Sequence, residues 1–168
     1  QGVQSLFIRS PYNRRYLSGF TGTAGDLLIT PGGAWLFTDF RYIEQAQQQS
    51  PHFQVVDHQG KVLELVHQLL KEEGLSEVGF EQQHLSYMQY AEMENVWHDL
   101  KLVPVKGMVE QLRMLKDEHE LSLIRQAAQI VDQAFEYILS LLRPGISERD
   151  VAMELEYKMK KLGASGPS

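Results

Sequence analysis

A chain of 168 residues, 43% hydrophobic and 23% charged with no low-complexity tract, has the composition of a folded protein of one domain, or of one domain and part of another. Its net charge is −6, and its densest basic spots, Arg14-Arg15 and Lys158/Lys160/Lys161, are too small to track a phosphate backbone, which argues against nucleic-acid binding. Cysteine is absent, so there is no disulfide framework, thiolate nucleophile or thiolate metal centre, and no apolar run approaches the length of a membrane span.

Val3 to Ile8 predicts a buried strand, too short and too uncharged upstream for a secretion signal. A cytoplasmic location is the expectation. A chain that opens on Gln1 directly into a strand, without an initiator Met, is also expected to have lost a preceding segment. Ser10-Pro11-Tyr12-Asn13 predicts a turn, and Tyr16-Leu17 a short strand leading into a glycine loop. Gly19, Gly22 and Gly25 suit such a loop because its bends demand positive φ or close backbone approach. Asp26 to Thr30 and Ala34 to Thr38 read as hairpin arms around Thr30-Pro31-Gly32-Gly33, with proline fixing φ and the next glycine permitting positive φ. Asp39 is a plausible N-cap for a short polar helix over 41–49, stopped by Ser50-Pro51. A strand follows at Phe53 to Val56.

Val62, Leu65, Val66, Leu69 and Leu70 carry helical spacing across Lys61 to Glu73, with Gly74 as the C-cap. Val78-Gly79-Phe80 predicts a strand, Ser86 to Leu100 a helix, and Leu102 to Val105 the last strand. This alternation predicts an α/β fold with a mixed β-sheet flanked by helices. After Gly107 the strand signal ends. Asp117 to Leu142 repeats apolar residues every three or four positions, which predicts a helix of about 26 residues, roughly 39 Å long. Arg143-Pro144-Gly145 breaks it, and Ser147 with Asp150 opens another helix that ends at Gly163, ahead of a loop over Ala164 to Ser168. The expected domains are 1–108, the α/β unit, and 109–168, a linker and the helical start of a truncated second domain. Two apolar helices without a sheet to cover them would leave an exposed patch, which favours oligomerisation.

Chemistry-bearing motifs are sparse. None of the six histidines sits in an HExxH pattern, and no serine sits in a nucleophile elbow. Asp117-Glu118-His119-Glu120 resembles a ligand cluster, but consecutive helical residues fan around the axis, so an acidic first turn explains it better. The glycine loop lacks phosphate-binding spacing and precedes a strand, which favours a structural turn. Glu148, Asp150, Glu154 and Glu156 read as a solvated helix face. Asp39, Arg41 and Tyr42 are the best candidate site residues. Their bland reading is an N-cap, an arginine paired with Glu44 or Glu64, and a tyrosine covering the core. Their functional reading is a guanidinium and a phenol that orient a carboxylate or peptide carbonyl.

The run NRRYLSGFTGTAGDLLITPGGAWLFTDFRYIEQA strongly resembles the N-terminal domain of the Xaa-Pro peptidases: prolidases, aminopeptidases P and creatinase. The run LRMLKDEHELSLIRQAAQIVDQAFEYILSLLRPGISERDVAMELEYKMKKLGASGPS resembles the start of their pita-bread catalytic domain. The resemblance implies a full-length parent holding two divalent metals (Mn, Co or Zn) on two Asp, one His and two Glu. There a metal-generated hydroxide attacks the scissile carbonyl. It also implies that all these ligands, and the acid/base histidines, lie downstream of the position matching Ser168, so this chain is expected to bind no catalytic metal and to be inactive alone. Relatives pair as homodimers in which the N-terminal domain of one subunit shapes the active site of the other. By that resemblance Asp39, Arg41 and Tyr42 lie near the partner's pocket, where proline-containing peptides bind. Phe40 stands where relatives often carry a small residue. The same architecture also serves non-catalytic peptide-binding or chaperone-type modules and the creatinase-type amidinohydrolases.

Overall fold

The structure, a computed structural model, describes residues 2–166. The chain divides into two compact units, Gln1–Met114 and Leu115–Ser168. The first contains six strands: β1 (Leu6–Ile8), β2 (Asp26–Thr30), β3 (Gly33–Thr38), β4 (Gln54–Asp57), β5 (Glu77–Glu81) and β6 (Lys101–Val105). Its helices are α1 (Pro11–Ser18), α2 (Ile43–Gln49), α3 (Val62–Glu72), α4 (Tyr87–Val96) and α5 (Met108–Met114). The sheet order is β4-β3-β2-β1-β5-β6. β2 pairs antiparallel with both β1 and β3, while the remaining pairs are parallel. Every strand except β2 therefore points its carboxyl end to the same rim of the sheet. The mixed α/β sheet agrees with the expectation from sequence.

The apolar runs of the central strands are unbroken because both faces of the sheet are covered, and the two-residue period of a strand sorts neighbours to opposite sides. Phe7, Leu28, Trp35 and Phe37 face one side, where Leu63, Val66 and Leu70 of α3 and Met93 of α4 cover them. The register confirms this sorting: Phe7 pairs with Leu28, and Leu28 with Trp35. Trp97 completes this layer, edge-on to Phe7 at 5.3 Å and donating its indole N–H to the Leu63 carbonyl at 2.8 Å. Ile8, Leu27 and Leu36 face the other side, under Phe20, Ala46 of α2 and Val109 of α5. At the margins, β4 has only four residues, and β6 carries Pro104 between Lys101 and Lys106.

Two local expectations are corrected. Residues 11–18 form α1 rather than a turn and a short strand. Pro11 occupies the first helical turn, where its missing N–H costs nothing, and Ser10 caps the helix by accepting the Asn13 N–H. Gly19 then closes α1 in the left-handed region at φ 75°. In the hairpin, Gly32 is not among the positive-φ glycines. There Thr30 Oγ1 accepts the Gly32 N–H at 3.1 Å, so the turn closes without a left-handed residue.

The second unit consists of α6 (Glu118–Leu141) and α7 (Glu148–Lys161). Asp117 and Glu120 open α6 with a reciprocal capping box: the Glu120 N–H donates to Asp117 Oδ1 at 2.8 Å, and the Asp117 N–H to Glu120 Oε2 at 2.9 Å. Ser147 caps α7 by accepting the Asp150 N–H at 3.2 Å, and Gly163 lies in the left-handed region at φ 104° just after it. Ala134 and Ile138 of α6 are buried, and the Tyr137 hydroxyl donates to Glu154 Oε2 of α7 at 3.0 Å. Leu123, Ile124, Val131, Phe135 and Met153 are exposed. Pro167 and Ser168, at the end of the expected terminal loop, lie outside the described residues. Among the described residues no helix is long and apolar enough to cross a membrane.

Candidate functional site at the carboxyl rim of the sheet

β3 delivers Thr38, fully buried, to the rim, and its hydroxyl donates to the Ala24 carbonyl at 2.7 Å. Asp39 remains extended and caps a single 3₁₀ turn, Phe40–Tyr42, by accepting the Arg41 N–H at 3.0 Å. The Arg41 side chain folds back on the same carboxylate, with Nε to Oδ1 and Nη2 to Oδ2 both at 2.8 Å. This two-point pair is the strong form of an ionic hydrogen bond, and its planar fork sets the direction of the guanidinium. The hydrogen bond from Arg41 is the main reason that the Asp39 carboxyl falls to about 2. Asp39 in turn raises Arg41 above its ordinary value. Arg41 is corrected from the expected pairing with Glu44 or Glu64: the tight turn puts Asp39 within reach first. Its side chain remains 64% exposed, so the edge not facing Asp39 is open to a ligand.

Tyr42 packs against the core through its ring, edge-on to Phe20 at 5.9 Å, and shares a 2.8 Å hydrogen bond with Thr23 Oγ1. The Arg41 guanidinium lies 5.5 Å from the Tyr42 ring centroid. Phe40, 76% exposed, stands beside them. The three residues singled out from sequence are thus one cluster.

The glycine loop beside it is organised by a residue that sequence reasoning missed. Arg14, 4% exposed, donates from Nη1 to the Gly25 carbonyl and from Nη2 to the Gly22 carbonyl, each at 2.5 Å. Burial lowers the Arg14 pKa, against the opposing charge of Asp26. A loop whose carbonyls turn inward onto a cation is scaffold, not a phosphate cradle. A Cβ at Gly25 would lie 3.1 Å from the Phe37 carbonyl, so close backbone approach explains that glycine. Outside the loop, Gln49 Oε1 accepts from the Thr21 N–H at 2.9 Å. The only hint in the sequence was the pair Arg14-Arg15, and amphipathic spacing does not distinguish a buried arginine from a surface one.

A second polar cluster occupies the same rim at β5. Glu81, 6% exposed, accepts the N–H groups of Arg9 and Ser10 on Oε2, both at 2.8 Å, and the Asn13 amide on Oε1 at 2.6 Å. The Asn13 amide also donates to Glu110 Oε1 at 2.7 Å and accepts from Arg113 Nη1 at 2.9 Å. Burial pushes the Glu110 carboxyl up, but Asn13, its own backbone and the charges of His84 and Arg113 leave it below its usual value. Burial also raises Asp26 above its usual value, although Arg9 Nε lies 3.2 Å away. These groups fasten α1 and α5 to the sheet. Of the acidic run expected to open the long helix, Asp117 and Glu120 are used in the capping box. Among the described residues no three His, Asp or Glu side chains are placed to hold a metal ion.

The family model of the creatinase/prolidase N-terminal domain matches residues 1–115, and that of metallopeptidase family M24 matches residues 122–168. The chain is 41% identical over 167 residues to the uncharacterized peptidase YqhT of Bacillus subtilis (strain 168), covering 99% of this chain and 47% of that protein. Among solved structures, the Xaa-Pro dipeptidase from Bacillus anthracis is 42% identical with a TM-score of 0.93, covering 98% of this chain and 46% of that one. The X-Pro aminopeptidase from Thermotoga maritima MSB8 is 30% identical with a TM-score of 0.90, covering 98% and 48%. The chain spans about half the length of the curated relatives it matches along its whole length.

Proposed function

The chain belongs to the creatinase/prolidase N-terminal domain family, and from that premise we propose that it is the amino-terminal part of a metal-dependent peptidase that cleaves bonds next to proline. The observation that carries this reading is the succession of matches, the N-terminal domain over 1–115 and then metallopeptidase family M24 over 122–168. The names of the similar structures, an Xaa-Pro dipeptidase and an X-Pro aminopeptidase, agree with that substrate class. The described residues do not supply a metal site, and no chemical step is assigned to this chain. Two divalent ions in the complete protein would supply the attacking hydroxide and polarise the carbonyl.

In this reading the chain contributes positioning. Arg41, locked by Asp39 and exposed on its other edge, restricts peptide length at the pocket of a second subunit in a cytoplasmic homodimer. A fixed guanidinium with free N–H groups suits a peptide carboxylate or carbonyl. The complete protein is expected to hydrolyse Xaa-Pro peptides only with added divalent metal. Arg41→Ala should raise KM about 5- to 150-fold, or shift length preference, if it loses one charge-assisted contact of about 1–3 kcal/mol. Bound metal should not change. Unaltered kinetics across a peptide-length series would reduce Arg41 to a surface pair with Asp39. Peptide binding without turnover in the metal-loaded complete protein would point instead to a non-catalytic module.

A further inference from the structure

We infer that Arg14 is a positioning residue: its buried guanidinium holds the glycine loop 19–25 in one shape and, through Phe20 and Tyr42, sets the Asp39–Arg41 pair at the rim. Four side chains form an unbroken series from the interior to the surface. The Arg14 guanidinium lies 5.4 Å from the Phe20 ring, Phe20 meets Tyr42 edge-on at 5.9 Å, and the Arg41 guanidinium lies 5.5 Å from the Tyr42 ring. Two cations thus bracket two packed rings, an arrangement in which each member limits the rotation of the next.

A buried charge needs a reason, because an apolar side chain of similar volume would avoid the desolvation cost. What an apolar side chain lacks is a fork. Arg14 spans the carbonyls of Gly22 and Gly25, and its Nε is buried without a partner. Thr38, next to Asp39 in the chain, holds the intervening Ala24 carbonyl. The loop is therefore tied from within by Arg14 and Thr38, and from without by Gln49 and by the Thr23–Tyr42 hydrogen bond. Arg15, the neighbour of Arg14, is exposed, so only one of the paired arginines has this role.

The inference rests on the rim function proposed above, and its test separates the two. Amide hydrogen exchange is measured in the 168-residue chain for the wild type, Arg14→Lys and Arg14→Met. Both variants lack the fork, so exchange at residues 20–25 and 40–42 should accelerate about tenfold or more, equivalent to about 1.4 kcal/mol, with α3 and α4 unchanged. Uniform acceleration throughout the sheet unit, or no change at 40–42, overturns the inference. Should neither variant fold, Phe20→Leu, which breaks the ring series, must loosen 40–42 by a similar factor, and unchanged exchange there overturns it equally. In the complete protein, Arg14→Lys should raise KM for Xaa-Pro peptides several-fold more than it lowers kcat, and adding it to Arg41→Ala should cost no more than Arg41→Ala alone. Fully additive effects refute the link between the two arginines. If the complete protein proves not to be a peptidase, the proposed function falls while the exchange experiment still decides the role of Arg14.

Discussion

Glu81→Gln is expected to destabilise the sheet unit by about 2–5 kcal/mol, although the two side chains are nearly identical in shape. The wild-type carboxylate accepts three hydrogen bonds, from the N–H groups of Arg9 and Ser10 and from the amide of Asn13. Charge-assisted bonds are roughly twice as strong as neutral ones, so the two backbone bonds should weaken by about 1 kcal/mol each. Whichever way the new amide turns, its NH2 meets a donor, and the stranded buried donor costs about 1–3 kcal/mol more. Relief of repulsion between Glu81 and Glu110, which share the Asn13 amide, offsets up to about 1 kcal/mol of this. Urea unfolding followed by tryptophan fluorescence is the suitable assay. Both tryptophans, Trp35 and Trp97, are buried in the sheet unit, so the signal is specific to it. The midpoint should fall by about 1–3 M with an unchanged m-value. A loss below about 1 kcal/mol would refute the claim that a charged acceptor is needed there.

Two further outcomes are expected. The Asp39 carboxyl, held at about 2 by Arg41, should titrate near that value by NMR and return toward 3.8, its ordinary value, in Arg41→Gln. Because its folded pKa is depressed, its stabilising contribution is present above about 4 and declines as pH falls toward 2, so the Arg41→Gln melting temperature should converge on wild type only in acid. Gly25→Ala should lower stability by about 1–3 kcal/mol in the same urea assay, since the new methyl presses on the Phe37 carbonyl at 3.1 Å.

Much of this architecture was legible because burial on both faces leaves a plain trace. LLI (Leu27–Ile29) and WLF (Trp35–Phe37) have no polar interruptions, and their residues sort alternately onto the two layers of the core. The cluster of Asp39, Arg41 and Tyr42 was legible for a related reason: charges and rings met where an apolar strand ended. Residues 11–18 were misread because a proline in a first helical turn looks locally like a proline in a turn, and Tyr16-Leu17 is too short to show a period. Arg14, Glu81 and Asn13 were not legible because their meaning lies in partners distant along the chain. Glu81 reaches back 68 residues to Asn13, and Arg113 reaches 100 residues to the same side chain.

The margins of the sheet have a consequence for association. Pro104 has no N–H to offer and is flanked by Lys101 and Lys106, which makes β6 a poor template for an incoming strand. At the opposite margin β4 offers a ladder of only four residues. Fibrillar growth by strand addition is disfavoured at both ends, so copies of this chain that meet should recognise one another through side-chain surfaces rather than through backbone. Such contacts depend on which side chains meet, so they are readily retuned by single substitutions.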